Sequence, residues 1–203
     1  MKKKIAVLAS GNGTNFAAIV SALKKKKISR AEVSLLITDK KNAFVRTRAQ
    51  KYGIPDVFVD REAYSGRENF DRKLIRIIKA EKIDLIVLAG YMRILSPCFV
   101  RAFKNKVINI HPALLPSFKG TDAIGRAFRY GAKVTGVTVH FLDEKVDHGP
   151  IIAQKALCIK DDESLASVES RIHRIEHKIY PEVIENILSG KLKIKGRNVK
   201  VCT

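Results

Sequence analysis

The chain has 203 residues, 46% hydrophobic and 29% charged, enough for one domain with a substantial core. No apolar run approaches the roughly 20 residues that span a bilayer, and Met1-Lys2-Lys3-Lys4 is followed by only five apolar residues, too few for a secretion signal, so a cytoplasmic protein is expected. Lys and Arg number 39 against 20 Asp and Glu, a net charge of +19, which favours anionic ligands, yet only Lys24 to Lys27 form a pure basic run, and a nucleic-acid partner is not expected.

Lys4 to Ser10 reads as a short buried strand, closed by Gly11-Asn12-Gly13. A helix follows, with Phe16, Ile19, Val20 and Leu23 at i, i+3, i+4 and i+7. Val33 to Thr38 is the next strand, then a helix from about Asn42 that stops at Gly53. Val57 to Val59 is a brief strand. Ser65-Gly66-Arg67-Glu68 fits a capping box ahead of a helix whose apolar face is Phe70, Leu74, Ile77 and Ile78. Ile83 to Ala89 is nearly unbroken apolar strand, as expected where both sheet faces are covered, and Val107 to Ile110 is another.

This alternation predicts an α/β fold with a mostly parallel, doubly wound sheet. Val134 to Phe141 and Ile151 to Ile159 are read as an antiparallel pair. A long helix from about Ser164 to Leu188 follows, with a kink expected at Pro181, and Lys191 to Lys195 is read as an added edge strand.

Three stretches carry chemistry. Ser10-Gly11-Asn12-Gly13-Thr14-Asn15 lies between a strand and a helix, where glycines permit a tight turn and free amides can meet a phosphate. Phe16 stands where a dinucleotide fingerprint has its third glycine, so a mononucleotide-like phosphate site or a plain tight turn is left. Asn109-Ile110-His111-Pro112 ends an apolar strand, with Asn109 and His111 on one side about 7 Å apart. That pairing suits oxyanion stabilisation, or a histidine that merely closes the strand. Asp143 to Pro150 is an acidic stretch in a basic chain, either a solvated hairpin loop or the source of a carboxylate for a histidine.

No metal is expected. His173 and His177 are one helical turn apart, but His-Arg-Ile-Glu-His is not a zincin motif. Cys98, Cys158 and Cys202 form no CxxC pair and are read as free thiols.

In order along the chain, the phosphate-loop motif, Gly90-Tyr91-Met92-Arg93-Ile94-Leu95-Ser96-Pro97, Asn109 to Pro116, Lys119-Gly120, Gly136 to Phe141, Asp147-His148-Gly149-Pro150, Ile175-Glu176-His177 and Tyr180-Pro181 resemble the glycinamide ribonucleotide formyltransferase family. The resemblance spans essentially the whole sequence. It implies a single domain over 1–203, with a phosphate-binding half to about residue 105 and a catalytic and folate half beyond. It implies transfer of a formyl group from the co-substrate 10-formyltetrahydrofolate to the amine of glycinamide ribonucleotide.

By the same resemblance, Gly13, Thr14 and Asn15 hold the ribonucleotide phosphate, and Glu176 meets its other end. Arg67, Met92, Arg93, Ile94, Leu95 and Asn109 serve the folate, while Asn109, His111 and Asp147 are the catalytic trio, with Asp147 favouring a protonated His111. Two stretches depart from the family pattern: Thr121 to Gly125, where many members carry histidines, and His148, where a small residue is common. Methionyl-tRNA formyltransferases share the folate and catalytic motifs, but carry a further RNA-binding domain that is not expected in a chain ending at Thr203, and lack the Ser-Gly-Asn-Gly loop.

Overall fold

The computed structural model describes residues 2–202. Seven strands form one sheet in the order β3-β2-β1-β4-β5-β6-β7. These are β1 (Lys3–Leu8), β2 (Ala31–Thr38), β3 (Asp56–Phe58), β4 (Leu85–Leu88), β5 (Val107–His111), β6 (Val134–Phe141) and β7 (Ile151–Cys158). β1 to β5 pair in parallel, and β6 and β7 add antiparallel. The connections α1 (Thr14–Lys24), α2 (Phe44–Lys51), α3 (Gly66–Ala80), α4 (Pro97–Ala102) and α5 (Ala123–Arg129) precede the long α6 (Leu165–Leu188).

Strand alternation sorts side chains onto two cores. Ile5, Val7, Leu85 and Val87 face α1 and α6, whereas Ala6, Leu8, Ile86 and Leu88 face α3 and α4. The register between β1 and β2 slips at Ser34. The extra residue restores the alternation, with Val33 and Leu36 on the first face and Leu35 and Ile37 on the second.

α6 runs through Pro181 without a break over 24 residues. It buries Val168, Ile172, Ile179, Val183 and Ile184 against the first face. The fully buried Tyr180 donates its hydroxyl to the Leu88 carbonyl at 2.7 Å, 3.2 Å from that of Ile108. One phenol thereby fixes the helix to the end of β4 and the start of β5.

Two expectations change, and two short helices are added. The Ser65 hydroxyl does not cap α3; instead the Asn69 amide donates to the Ser65 carbonyl and hydroxyl at 2.9 and 3.2 Å. The short helices α4 and α5 had no periodic signal. The terminal segment is no edge of the main sheet, because β8 (Leu192–Lys195) turns at Gly196-Arg197 and pairs with β9 (Asn198–Val201) in a separate hairpin.

Candidate functional site

The order of the strands reverses between β1 and β4, so the loops after them diverge and leave a crevice at the carboxyl end of the sheet. Gly13 (φ +74) precedes α1 and lets the chain turn into the helix, against which Val45 packs. Asn15 is buried in the first turn, and its amide donates to the Glu176 carboxylate at 3.0 Å. His173 donates to the same Glu176 oxygen at 2.9 Å.

Glu176 therefore lies against the loop that ends at Asn15, because α6 packs directly on α1. The Asn15 Oδ1 is buried without a partner. An unmatched acceptor of that kind is costly unless a ligand donates to it. A cavity of about 630 Å³ opens beside this loop, lined by Ser10 to Asn12 and Lys40 to Phe44. It lies away from Asn109, His111 and Asp147, whose chemistry is the better guide to the reacting centre.

The loop after β4 is tied to its neighbours by a buried carboxylate. Ser10 donates to Asp39 Oδ1 at 2.6 Å and accepts from the Met92 amide at 3.0 Å. Arg93 meets Asp39 Oδ2 at 3.4 Å and lies over the Phe70 ring. The Ser96 amide donates to buried Asp71 at 2.5 Å. Burial raises the Asp71 pKa against the opposing pull of the Ser96 bonds, Arg67 and Arg93.

Of the residues expected to line a folate site, Met92 and Ile94 are 71% and 57% exposed, an unusual pair of open apolar side chains. Leu95 has its side chain buried in the second core, which leaves its backbone to face the crevice. Arg67 is exposed in the first turn of α3.

Asn109 and His111, two apart on β5, point to the same side, and Asp147 reaches between them. Asp147 Oδ1 is 3.4 Å from Asn109 Nδ2, Oδ2 is 3.3 Å from His111 Nδ1, and the Gly120 amide donates to Oδ2 at 2.7 Å. Burial opposes the ionised carboxylate, but contacts with His140, the Gly120 amide and His111 outweigh it, and its pKa is lowered.

His140 is the member that motif reading missed. It stands opposite Asn109 in the β5–β6 register, its Nδ1 donates to the Phe141 carbonyl at 2.8 Å, and its Nε2 is 3.3 Å from Asn109 Nδ2 and 3.6 Å from Asp147. The parity of β6 against β5 was the signal that would have found it.

His111 is 4% exposed. Its Nε2 lies 2.9 Å from the Phe118 carbonyl while Nδ1 faces Asp147, so both ring nitrogens meet acceptors and only the imidazolium satisfies both. Burial nevertheless wins over Asp147 and Phe118, and the His111 pKa is lowered below its ordinary 6.5. Desolvation in this pocket thus opposes the imidazolium that the two acceptors favour.

The divergent Thr121–Gly125 stretch forms the entry to α5. Arg126 on that helix donates to the Phe118 and Lys119 carbonyls, so the helix holds the loop that touches His111. His148 bonds Asp143 at 2.5 Å, leaving Asp147 free to face the cluster.

Among the described residues, no helix is long and apolar enough to cross a membrane. Residues 3–184 match the family described as Formyl transferase. The chain is 47% identical over 186 residues to phosphoribosylglycinamide formyltransferase of Bacillus subtilis, covering 92% of this chain and 95% of that protein. It is 38% identical to the human trifunctional purine biosynthetic protein adenosine-3, over 99% of this chain but 20% of that longer protein. A crystal structure of glycinamide ribonucleotide transformylase 1 from Symbiobacterium toebii superposes with a TM-score of 0.96 at 39% identity, covering 100% of this chain and 95% of the other. With the fold, the ordered motifs and the length of the match in agreement, this chain belongs to the formyl transferase family.

Proposed function

We propose that this protein transfers the formyl group of 10-formyltetrahydrofolate to the primary amine of glycinamide ribonucleotide, a step of purine synthesis. Residues 1–203 would act as one domain, with the phosphate-binding half to about residue 105 and the catalytic and folate half beyond. The observation that carries this reading is the Asp147 carboxylate set between Asn109 and His111. The near full-length likeness to the Bacillus subtilis enzyme supports the choice of acceptor.

The ribonucleotide phosphate is assigned to Gly13, Thr14 and Asn15, where the first amides of α1 and its dipole favour an anion. Glu176 and the unmatched Asn15 Oδ1 offer acceptors to hydroxyl or amine groups of the same molecule. The folate is assigned to the exposed Met92 and Ile94, to Arg93, Leu95 and Asn109, and at its acidic end to Arg67.

Formyl transfer requires a neutral amine to attack the formyl carbon, which places negative charge on the formyl oxygen. The Asn109 amide, whose contacts to Asp147 and His140 are long at 3.4 and 3.3 Å, is free to turn toward that oxygen and donate to it. His111 starts neutral but gains a second hydrogen bond on protonation. The His111–Asp147 pair therefore accepts the proton released by the attacking amine and returns it to the folate nitrogen as its bond to the formyl carbon breaks. None of these steps needs a metal or a covalent enzyme intermediate.

The test is incubation of the pure protein with both substrates while the deformylated folate is followed spectrophotometrically. Turnover dependent on glycinamide ribonucleotide is expected. Turnover with methionyl initiator tRNA and none with this amine would overturn the assignment.

A further inference from the structure

The loop that carries Asp147 is held in a conformation it would not choose alone. Asp147 has φ +44, in the left-handed region that side chains rarely adopt. Such a residue persists where its surroundings over-determine it. Three restraints are visible. A side chain at Gly149 would run into the Phe141 carbonyl, so the loop returns tightly onto the end of β6. His148 donates to Asp143 at 2.5 Å, closing the loop on itself.

The third restraint comes from outside. Arg197 Nη2 donates to the backbone carbonyl of His148 at 2.6 Å, and its Nη1 lies 3.4 and 3.5 Å from the two ring nitrogens of that histidine.

Arg197 sits at the turn of the β8–β9 hairpin, which belongs to no strand ladder of the main sheet. Most hairpin side chains are exposed, although Leu192 and Val199 pack on the core. Its contribution to the core is small, and its turn is aimed at the peptide next to Asp147.

We propose that Arg197 is a positioning residue for the reaction. By gripping the His148 carbonyl it keeps the adjoining Asp147 backbone left-handed, and so keeps the carboxylate between Asn109, His111 and Gly120. This rests on the role given to Asp147 above. Without the grip, the backbone at Asp147 is free to relax toward negative φ, which swings the carboxylate away from contacts that are already as long as 3.3 and 3.4 Å.

The test is a double-mutant cycle in the full chain with Arg197→Ala, Asp147→Asn and the pair. Arg197→Ala is expected to lower kcat by roughly ten- to a hundredfold, the scale of an ångström-sized misplacement. KM for the ribonucleotide and the thermal midpoint should hold. Arg197→Lys, which can still donate to a carbonyl, should recover part of the rate. In the Asp147→Asn background, Arg197→Ala should have no further effect, since its action passes through Asp147. If the alanine variant loses its thermal midpoint, Arg197→Gln, which lacks the guanidinium fork, carries the same cycle.

Wild-type kcat in the Arg197 variant beside an impaired Asp147→Asn overturns the proposal and leaves the role of Asp147 standing. A loss undiminished in the Asp147→Asn background also overturns it. A wild-type kcat in Asp147→Asn itself instead removes the role of Asp147.

Discussion

The Asn15 amide donates to the Glu176 carboxylate at 3.0 Å, joining positions 161 residues apart in the chain. The bond is buried and ties the first turn of α1 to the middle of α6. Its consequence is that the loop assigned to the phosphate is organised from the C-terminal half of the chain. Glu176→Gln removes a charge-assisted acceptor shared by Asn15 and His173, and is expected to weaken ribonucleotide binding by about ten- to a hundredfold, the range for hydrogen bonds to charged groups. Folate binding should be unchanged. Calorimetry on each ligand separately checks this, and equal losses would contradict it.

Gly13→Val should be more severe. The backbone at φ +74 disfavours any side chain, and a Cβ would collide with Val45 in the first turn of α2. Loss of ribonucleotide binding is expected together with a fall in stability on the order of 1–3 kcal/mol. Denaturant unfolding beside calorimetry separates the two. Unimpaired ribonucleotide binding in this variant would remove the loop from the site.

What could be read beforehand follows from the range of each signal. Period-two and helical apolar patterns are local, and they placed β1, β2, β4, β6, β7, α1, α3 and α6 to within a few residues. The antiparallel turn of β6 and β7 was legible because a short loop joins them. α4 and α5 are too short to show a period. Leu192, Ile194, Val199 and Val201 alternate with polar residues about the Gly196-Arg197 turn, a local pattern that marks strands but not the sheet they join.

In the site, Asn109 and His111 were legible from strand parity, and Asp147 entered through the family resemblance. His140 required the register between β5 and β6, and Asp39, Asp71 and Arg126 act through contacts that no linear spacing encodes. A carboxylate neighbour for His111 can be guessed from sequence, whereas the depth of burial that opposes it cannot.

The His173–Glu176 pair should leave a pH signature. The bond to Glu176 raises the His173 pKa above 6.5, against partial burial. A raised pKa means that the folded state binds the proton more tightly than the unfolded chain. The pair's contribution is then fully present below about pH 6.5 and is lost as pH rises through the folded value. His173→Ala should therefore lower the thermal midpoint more at pH 6 than at pH 9. Because the ring is half exposed, the effect will be small. A larger loss at pH 9 would contradict the assignment.

The decisive measurement is kcat for formyl transfer to glycinamide ribonucleotide by Asp147→Asn, with folding verified by circular dichroism. The substitution keeps the shape and removes the charge that His111 Nδ1 faces at 3.3 Å. His111, already disfavoured as an imidazolium by burial, should resist protonation further and fail to carry the amine's proton. A fall in kcat of about two to four powers of ten is predicted, the scale for acid–base and oxyanion groups, with ribonucleotide affinity nearly unchanged. A folded Asp147→Asn protein with wild-type kcat would contradict the mechanism.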